Sequence, residues 1–313
     1  MEEKYLAVDV GGTFIKYAVM DRECRFYEKG KVPTPTEDLD AFVDAVAGLY
    51  EERKGQVAGN AMSAAGMVDA KTGFMYNGGA VSCITNLNLA QVLQERCGVP
   101  VTIENDARSA ALAELWNGAL ADCRDAVAMI CGTGVGGAVI HNREVLRGRH
   151  LLAGEFSYLL TDWQDMENQG KLWGSFGGVR GLVQMTARLM EVPPETLSGE
   201  QVFQMAEQGD ARALEGIRQY ASLLAFFIAN FQFIIEPERV VIGGGVSTQP
   251  LLIEMIRKEL ETIHQVYFQP LPVPEVTACR FFNDSNLIGA LYAYLNHDGL
   301  CGRENADDGK RTD

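Results

Sequence analysis

The chain has 313 residues, 47% hydrophobic and 22% charged, with a formal net charge of −15. That length and composition suit a globular protein of roughly two ordinary domains, each able to bury a core. The negative charge argues against nucleic acid and anionic membrane as partners, because both carry the same sign.

The N-terminus reads MEEKYLAV, without the basic and apolar regions of a signal peptide. The longest apolar run, near residues 223–235, is interrupted by Asn230 and Gln232, so it predicts a buried helix and no membrane span. Seven cysteines, at 24, 83, 97, 123, 131, 279 and 301, are odd in number and lack metal-ligand spacing. They point to reduced thiols and a cytoplasmic location.

Residues 6–20, LAVDVGGTFIKYAVM, predict strand, tight glycine turn, strand. Gly11 and Gly12 permit close backbone approach to a ligand, and consecutive amides in such a turn make an anion nest. Thr13 adds a hydroxyl donor, and Asp9, just before the turn, is placed to hold a hydrated Mg²⁺. Lys16 either offsets phosphate charge or is a solvated strand residue. No Gly-Lys-Ser/Thr closes the turn, so it is not a Walker loop.

Residues 37–54 have helical apolar spacing at Leu39, Phe42, Val43, Val46 and Tyr50. A strand and a small-residue loop follow over 57–73, in which Gly66 either permits close backbone approach to a ligand or makes a plain turn. Residues 89–97 predict an amphipathic helix ended by Gly98-Val99-Pro100, and 101–104 a short strand. ENDARSAALAELWNG, from 104 to 118, reads as a strand end and an alanine-rich helix. Asn105 and Asp106 are preferred helix caps, and a carboxylate there is held ionised by the helix dipole.

MICGTGVGGAVI, residues 129–140, repeats the strand–glycine turn–strand pattern with Gly132, Thr133 and Gly134. Residues 197–210 and 211–235 read as two helices, the first with Ser198 and Gln201 as a capping box. A third glycine turn, VVIGGGVS, contains Gly244 and Gly245 and opens into a helix over 249–260. A last helix is expected over 286–296, followed by a polar tail over 297–313. The four histidines show no ligand spacing.

Three glycine turns in this order, together with ENDA at 104–107 and AGE at 153–155, resemble the ROK group of sugar kinases and repressors, within the actin-like ATPase (ribonuclease-H-like) superfamily. The resemblance covers the chain to about Asn296. It implies an α/β fold of two actin-like domains with mixed sheets flanked by helices and a cleft. The domains would be 1–118, completed by 286–296, and 119–285. It implies ATP and Mg²⁺ as cofactors, a small sugar as substrate and a homodimer. Asp106 becomes the catalytic base, and Gly66, Asn105 and Glu155 become sugar-binding residues. Asp9, Gly11, Gly12, Thr13, Lys16, Gly132, Thr133, Gly134, Gly244 and Gly245 fall to the nucleotide and its metal.

The sequence departs from the family at one place. Most members carry Gly-His after the sugar-binding glutamate and then a Cys-x-Cys-Gly-x-x-Gly-Cys-x-Glu segment that holds structural zinc. Here Ser157-Tyr158 and GKLWGSFGGVRGLV (170–183) stand there, without Cys or His. No zinc is expected. The missing His and Glu also bind sugar in the family, so the variant resembles glucokinases, β-glucoside kinases and N-acetylmannosamine kinases alike. A repressor of the same family would carry an extra DNA-binding region before the first glycine turn, which here begins at Leu6.

Overall fold

A computed structural model describes residues 3–297; the expected tail, past His297, lies outside the described residues. The first strands are β1 (Lys4–Val10), β2 (Phe14–Asp21) and β3 (Phe26–Pro33). Helix α1 (Leu39–Glu51) follows, then β4 (Asn60–Ala64), β5 (Met67–Asp69), β6 (Phe74–Asn77) and β7 (Leu87–Asn88). Next come α2 (Leu89–Cys97), β8 (Val101–Asn105) and α3 (Asp106–Asn117). The chain continues through β9 (Ala126–Cys131), β10 (Val135–His141), β11 (Glu144–Val145), α4 (Trp173–Phe176), α5 (Val179–Met190) and α6 (Gly199–Glu207). It ends in α7 (Ala211–Ile234), β12 (Arg239–Gly243), α8 (Pro250–His264), β13 (Glu275–Ala278) and α9 (Ser285–Leu295). Among the described residues two compact units result: 3–112 with 286–297, and Ala113–Ser285.

The first unit is built on a five-stranded sheet in the order β3-β2-β1-β4-β8. β1 pairs antiparallel with β2, and β2 with β3, while β1, β4 and β8 run parallel. β4 is buried along its whole length, as a central parallel strand covered on both faces must be. Its apolar residues pack with those of α1 and α2 in one core. A small antiparallel sheet, β5-β6-β7, flanks it.

The second unit has a five-stranded sheet in the order β11-β10-β9-β12-β13. Its pairings repeat the first: antiparallel at β11/β10 and β10/β9, parallel at β9/β12 and β12/β13. The mixed α/β architecture expected from the sequence is therefore present in each unit.

Local chemistry sets the helix ends. The Asp38 carboxylate accepts from the Ala41 amide and starts α1, which is shorter at both ends than the apolar spacing suggested. Asn88 caps α2, and Gly98 closes it in the left-handed conformation (φ 73°). Ser198 and Gln201 form both bonds of the expected capping box on α6. Asp210 accepts from the amides of Arg212 and Ala213 to start α7. One face of α7 is core, but Phe226, Phe233 and Ile234 stand more than half exposed, so the apolar run reaches beyond that face. Among the described residues no helix is long and apolar enough to cross a membrane.

Close packing of α9 on α3 depends on Gly289. A Cβ there would lie 1.7 Å from the Ser109 carbonyl oxygen. Glycine in a helix interior costs about 1 kcal/mol relative to alanine, whereas overpacking costs about 1–3 kcal/mol or more. The clash decides the sign. Gly289→Ala should therefore lower the denaturation midpoint, measured by chemical unfolding, by at least ~1 kcal/mol of stability; a raised midpoint would contradict this packing.

Candidate active site

In the first unit, the turn between β1 and β2 is held by its carbonyls. Thr34 donates its amide to Thr13 O at 3.1 Å and its hydroxyl to Gly11 O at 2.7 Å. The Gly11 amide closes on Phe14 O. The donors left for an anion are the amides of Gly12 and Thr13 and the Thr13 hydroxyl, all at exposed residues. Consecutive outward amides of this kind are the groups an anion nest would use.

Asp9 and Lys16 sit opposite each other on β1 and β2. Lys16 Nζ lies 3.7 Å from Asp9 Oδ2. The lysine side chain is about half exposed, so the pair contributes little to stability. It does place one positive charge beside the turn. Asp9 has a second partner that local sequence does not reveal: Asn286 Nδ2 donates to its Oδ1 at 3.0 Å.

Asn105 is the end of β8 and the cap of α3. Its Oδ1 accepts from the Arg108 amide at 3.0 Å. Its Nδ2 donates to Gly66 O and to Asp106 Oδ1, each at 3.0 Å. Asp106 Oδ1 also accepts from the Ala107 amide at 2.8 Å. Gly66 has φ 104°, and a Cβ there would meet Asn77 O at 2.0 Å, so only glycine fits. Gly66, Asn105 and Asp106 are thus brought together at the C-terminal ends of the parallel strands β4 and β8, where open α/β sheets commonly place ligands. The half-buried Asp106 sits at the N-terminus of α3, where the helix dipole favours the carboxylate.

In the second unit, the turn between β9 and β10 carries Gly132, Thr133 and Gly134. It too is held by a carbonyl: Val179, the first residue of α5, donates its amide to Gly132 O at 2.9 Å. Gly178 makes this approach possible, since a Cβ there would lie 2.3 Å from Gly134 O and 2.4 Å from Gly132 O. Gly244, at φ 84°, packs from the other side, where a Cβ would meet Cys131 O at 2.1 Å. The two glycine turns of this unit therefore touch, and Gly245 beside them faces open space.

Glu155 follows Gly154, which lies against the backbone of Ala138 and Val139. Its neighbour Phe156 is buried and stacks on Phe231 at 4.6 Å. Trp173 stacks on Phe227 at 3.8 Å and donates its amide to Leu159 O. Gly174 abuts Ser157. Residues 173–179 thus support both the Glu155 turn and the Gly132–Gly134 turn. They occupy the region where the sequence lacks zinc ligands, and no group of three or more His, Cys, Asp or Glu side chains suited to a metal occurs among the described residues. A single carboxylate suits Mg²⁺, which keeps several waters and takes further oxygens from substrate phosphates.

Sequence reasoning assigned no role in the site to Thr34, Gly178 or Asn286. The Gly177-Gly178 doublet before a helix was the one local signal for any of them.

A family model described as "ROK family" matches residues 5–297. The chain belongs to the ROK family. It is 29% identical over 292 residues to a beta-glucoside kinase of Klebsiella pneumoniae, covering 93% of this chain and 96% of that one. A ROK family protein from Streptococcus pneumoniae, solved with sucrose, superposes with a TM-score of 0.85 at 29% identity, covering 95% of this chain and 99% of the other. A Streptomyces griseus ROK glucokinase, solved with glucose and AMPPNP, gives a TM-score of 0.79 at 27% identity over 93% and 98% of the two chains.

The Gly178 contact yields a test. Gly178→Ala should push the Gly132–Gly134 turn out of place and raise the KM for ATP at least ~10-fold, the cost of about 1.4 kcal/mol of misplaced binding. The KM for sugar should change less than twofold. Steady-state kinetics with each substrate varied in turn would show it; an unchanged ATP KM would contradict this role.

Proposed function

We infer that this protein is an ATP-dependent sugar kinase that phosphorylates a hexose-type sugar at its 6-hydroxyl. Family membership and the named kinases among its relatives support the reaction class. The single observation that carries the mechanism is Asp106 at the start of α3, held beside Gly66 by Asn105. As base, Asp106 accepts the proton of the attacking hydroxyl. It need not be strongly basic, because phosphoryl transfer passes through a loose transition state and depends mainly on positioning. Its Oδ1 is already engaged by Ala107 and Asn105.

The amides and hydroxyls of Gly12, Thr13, Thr133 and Gly134 are suited to phosphate oxygens, and Lys16 adds positive charge beside Asp9. Gly245 leaves room for the rest of the nucleotide, and Gly244 lets the loop that carries it lie against the Cys131 carbonyl. Mg²⁺, when bound, would neutralise charge developing on the phosphates, with Asp9 as its protein carboxylate through water. Glu155 is suited to accept two sugar hydroxyls. Asn105 reads here as a positioning residue first: its oxygen serves the Arg108 amide and its nitrogen two acceptors. The same reading carries the homodimer and cytoplasmic location that the sequence and the resemblance implied.

Two experiments bear on it. Asp106→Asn should keep the fold and lose at least ~10²-fold in kcat, the usual scale for a lost general base; near-normal turnover would remove Asp106 from the mechanism. The sugar itself is tested by coupled ADP release across a panel. Two polar sugar ligands of the resembling zinc-bearing members are missing here, and a site without them cannot strongly reject an added group at C1. A β-glucoside such as cellobiose should react with kcat/KM within about tenfold of glucose, or ~1.4 kcal/mol. Glucose turnover alone would make this a plain glucokinase, and turnover of N-acetylmannosamine alone would relocate the extra space to C2.

A further inference from the structure

We propose that Asn286 is a positioning residue for Asp9, fixing which oxygen of its carboxylate is presented to a magnesium–nucleotide complex. The proposal rests on the kinase reading above. Asp9 is buried, at 7% exposure, one residue before the end of β1. A carboxylate is two-fold symmetric and can turn about its terminal bond. Here its oxygens are distinguished: Oδ1 takes the Asn286 amide at 3.0 Å, and Oδ2 lies 3.7 Å from Lys16 Nζ.

The two partners differ in stiffness. Lys16 is a long, half-exposed side chain. Asn286 is short and sits at the start of α9, where Leu287 and Ile288 are buried and Gly289 is pressed against Ser109 O. The helix that holds Asp9 through Asn286 is therefore the one that packs on α3, whose first residue is Asp106. The amide is also neutral. It orients the carboxylate without cancelling the charge that a cation requires, which a second lysine would do. Oδ2, beside Lys16, would be the oxygen left to meet the water shell of a bound metal. Groups that orient a metal-binding carboxylate commonly change metal affinity about 10–100-fold when removed.

The experiment is calorimetric titration with ADP, in Mg²⁺ and again in EDTA, on wild type and Asn286→Ala. The variant should bind ADP about tenfold more weakly in Mg²⁺ and within twofold of wild type in EDTA. In an Asp9→Ala background, Asn286→Ala should cost nothing further, because the shared interaction is already gone. Equal weakening with and without Mg²⁺, or additive losses in the double variant, would overturn the proposal and leave Asn286 as a packing residue. If the alanine variant does not fold, Asn286→Ser, too short to reach Asp9, is read in the same way. Failure of the kinase reading looks different: the wild type then shows no Mg²⁺-dependent gain in ADP affinity and phosphorylates no sugar, and the proposal falls with it.

Discussion

One side chain organises the C-terminal ends of β4 and β8 in the first unit. Asn105 is 5% exposed, and a buried amide must find partners for its oxygen and its nitrogen. Its oxygen starts α3 by capping the Arg108 amide. Its nitrogen ties the Gly66 carbonyl to the Asp106 carboxylate. Helix start, loop position and carboxylate orientation are thus one constraint. Because β4 and β8 are neighbours and parallel, their ends deliver the Gly66 loop and the Asn105-Asp106 pair to the same place. A change at any of the three would be felt by the other two.

The two sheets repeat one plan, and the repeat explains the two glycine turns. Each turn joins the first two strands of an antiparallel hairpin whose leading strand also pairs with a parallel neighbour. In each, a carbonyl of the turn is bonded from outside the hairpin, by Thr34 in one case and Val179 in the other. Tying down carbonyls leaves amides as the free hydrogen-bonding groups, which makes a turn attractive to anions. On a chain of net charge −15, such local donors have to outweigh the field of the whole protein.

The second unit shows how a segment without metal ligands can still order two loops. Gly174 and Gly178 let backbone lie on backbone, while Trp173 stacks on Phe227 and, next to Glu155, Phe156 stacks on Phe231. Close-packed interiors transmit position well because they have few voids into which a neighbour can relax. Aromatic stacking and glycine contacts here hold the Glu155 turn and the Gly132–Gly134 turn to one short stretch of chain.

Much of this was legible in the sequence because it is local. Strand–glycine–strand runs made both hairpins visible, Ser198 and Gln201 announced the start of α6, and Gly98 marked the end of α2. Each signal acts within a few residues, where propensity and capping operate. Family resemblance supplied Asp106, Asn105 and Glu155 as residues of interest, but not how they are held. That Lys16 stands opposite Asp9 came only from the register of β1 and β2. The exposed Phe226 and Phe233 show the converse, since an apolar run does not say which of its faces will find a partner. The bond from Asn286 to Asp9 spans 277 residues, and the fit of Gly178 against the Gly132–Gly134 turn depends on where α5 begins. Neither leaves a periodic or nearest-neighbour trace. The sequence by itself determined the glycine-turn hairpins, the capped helices and, through family resemblance, the chemical class expected of the site. Only the tertiary structure decided which side chains orient its carboxylates, because hydrogen bonds and close contacts between distant segments exist only after the chain has folded.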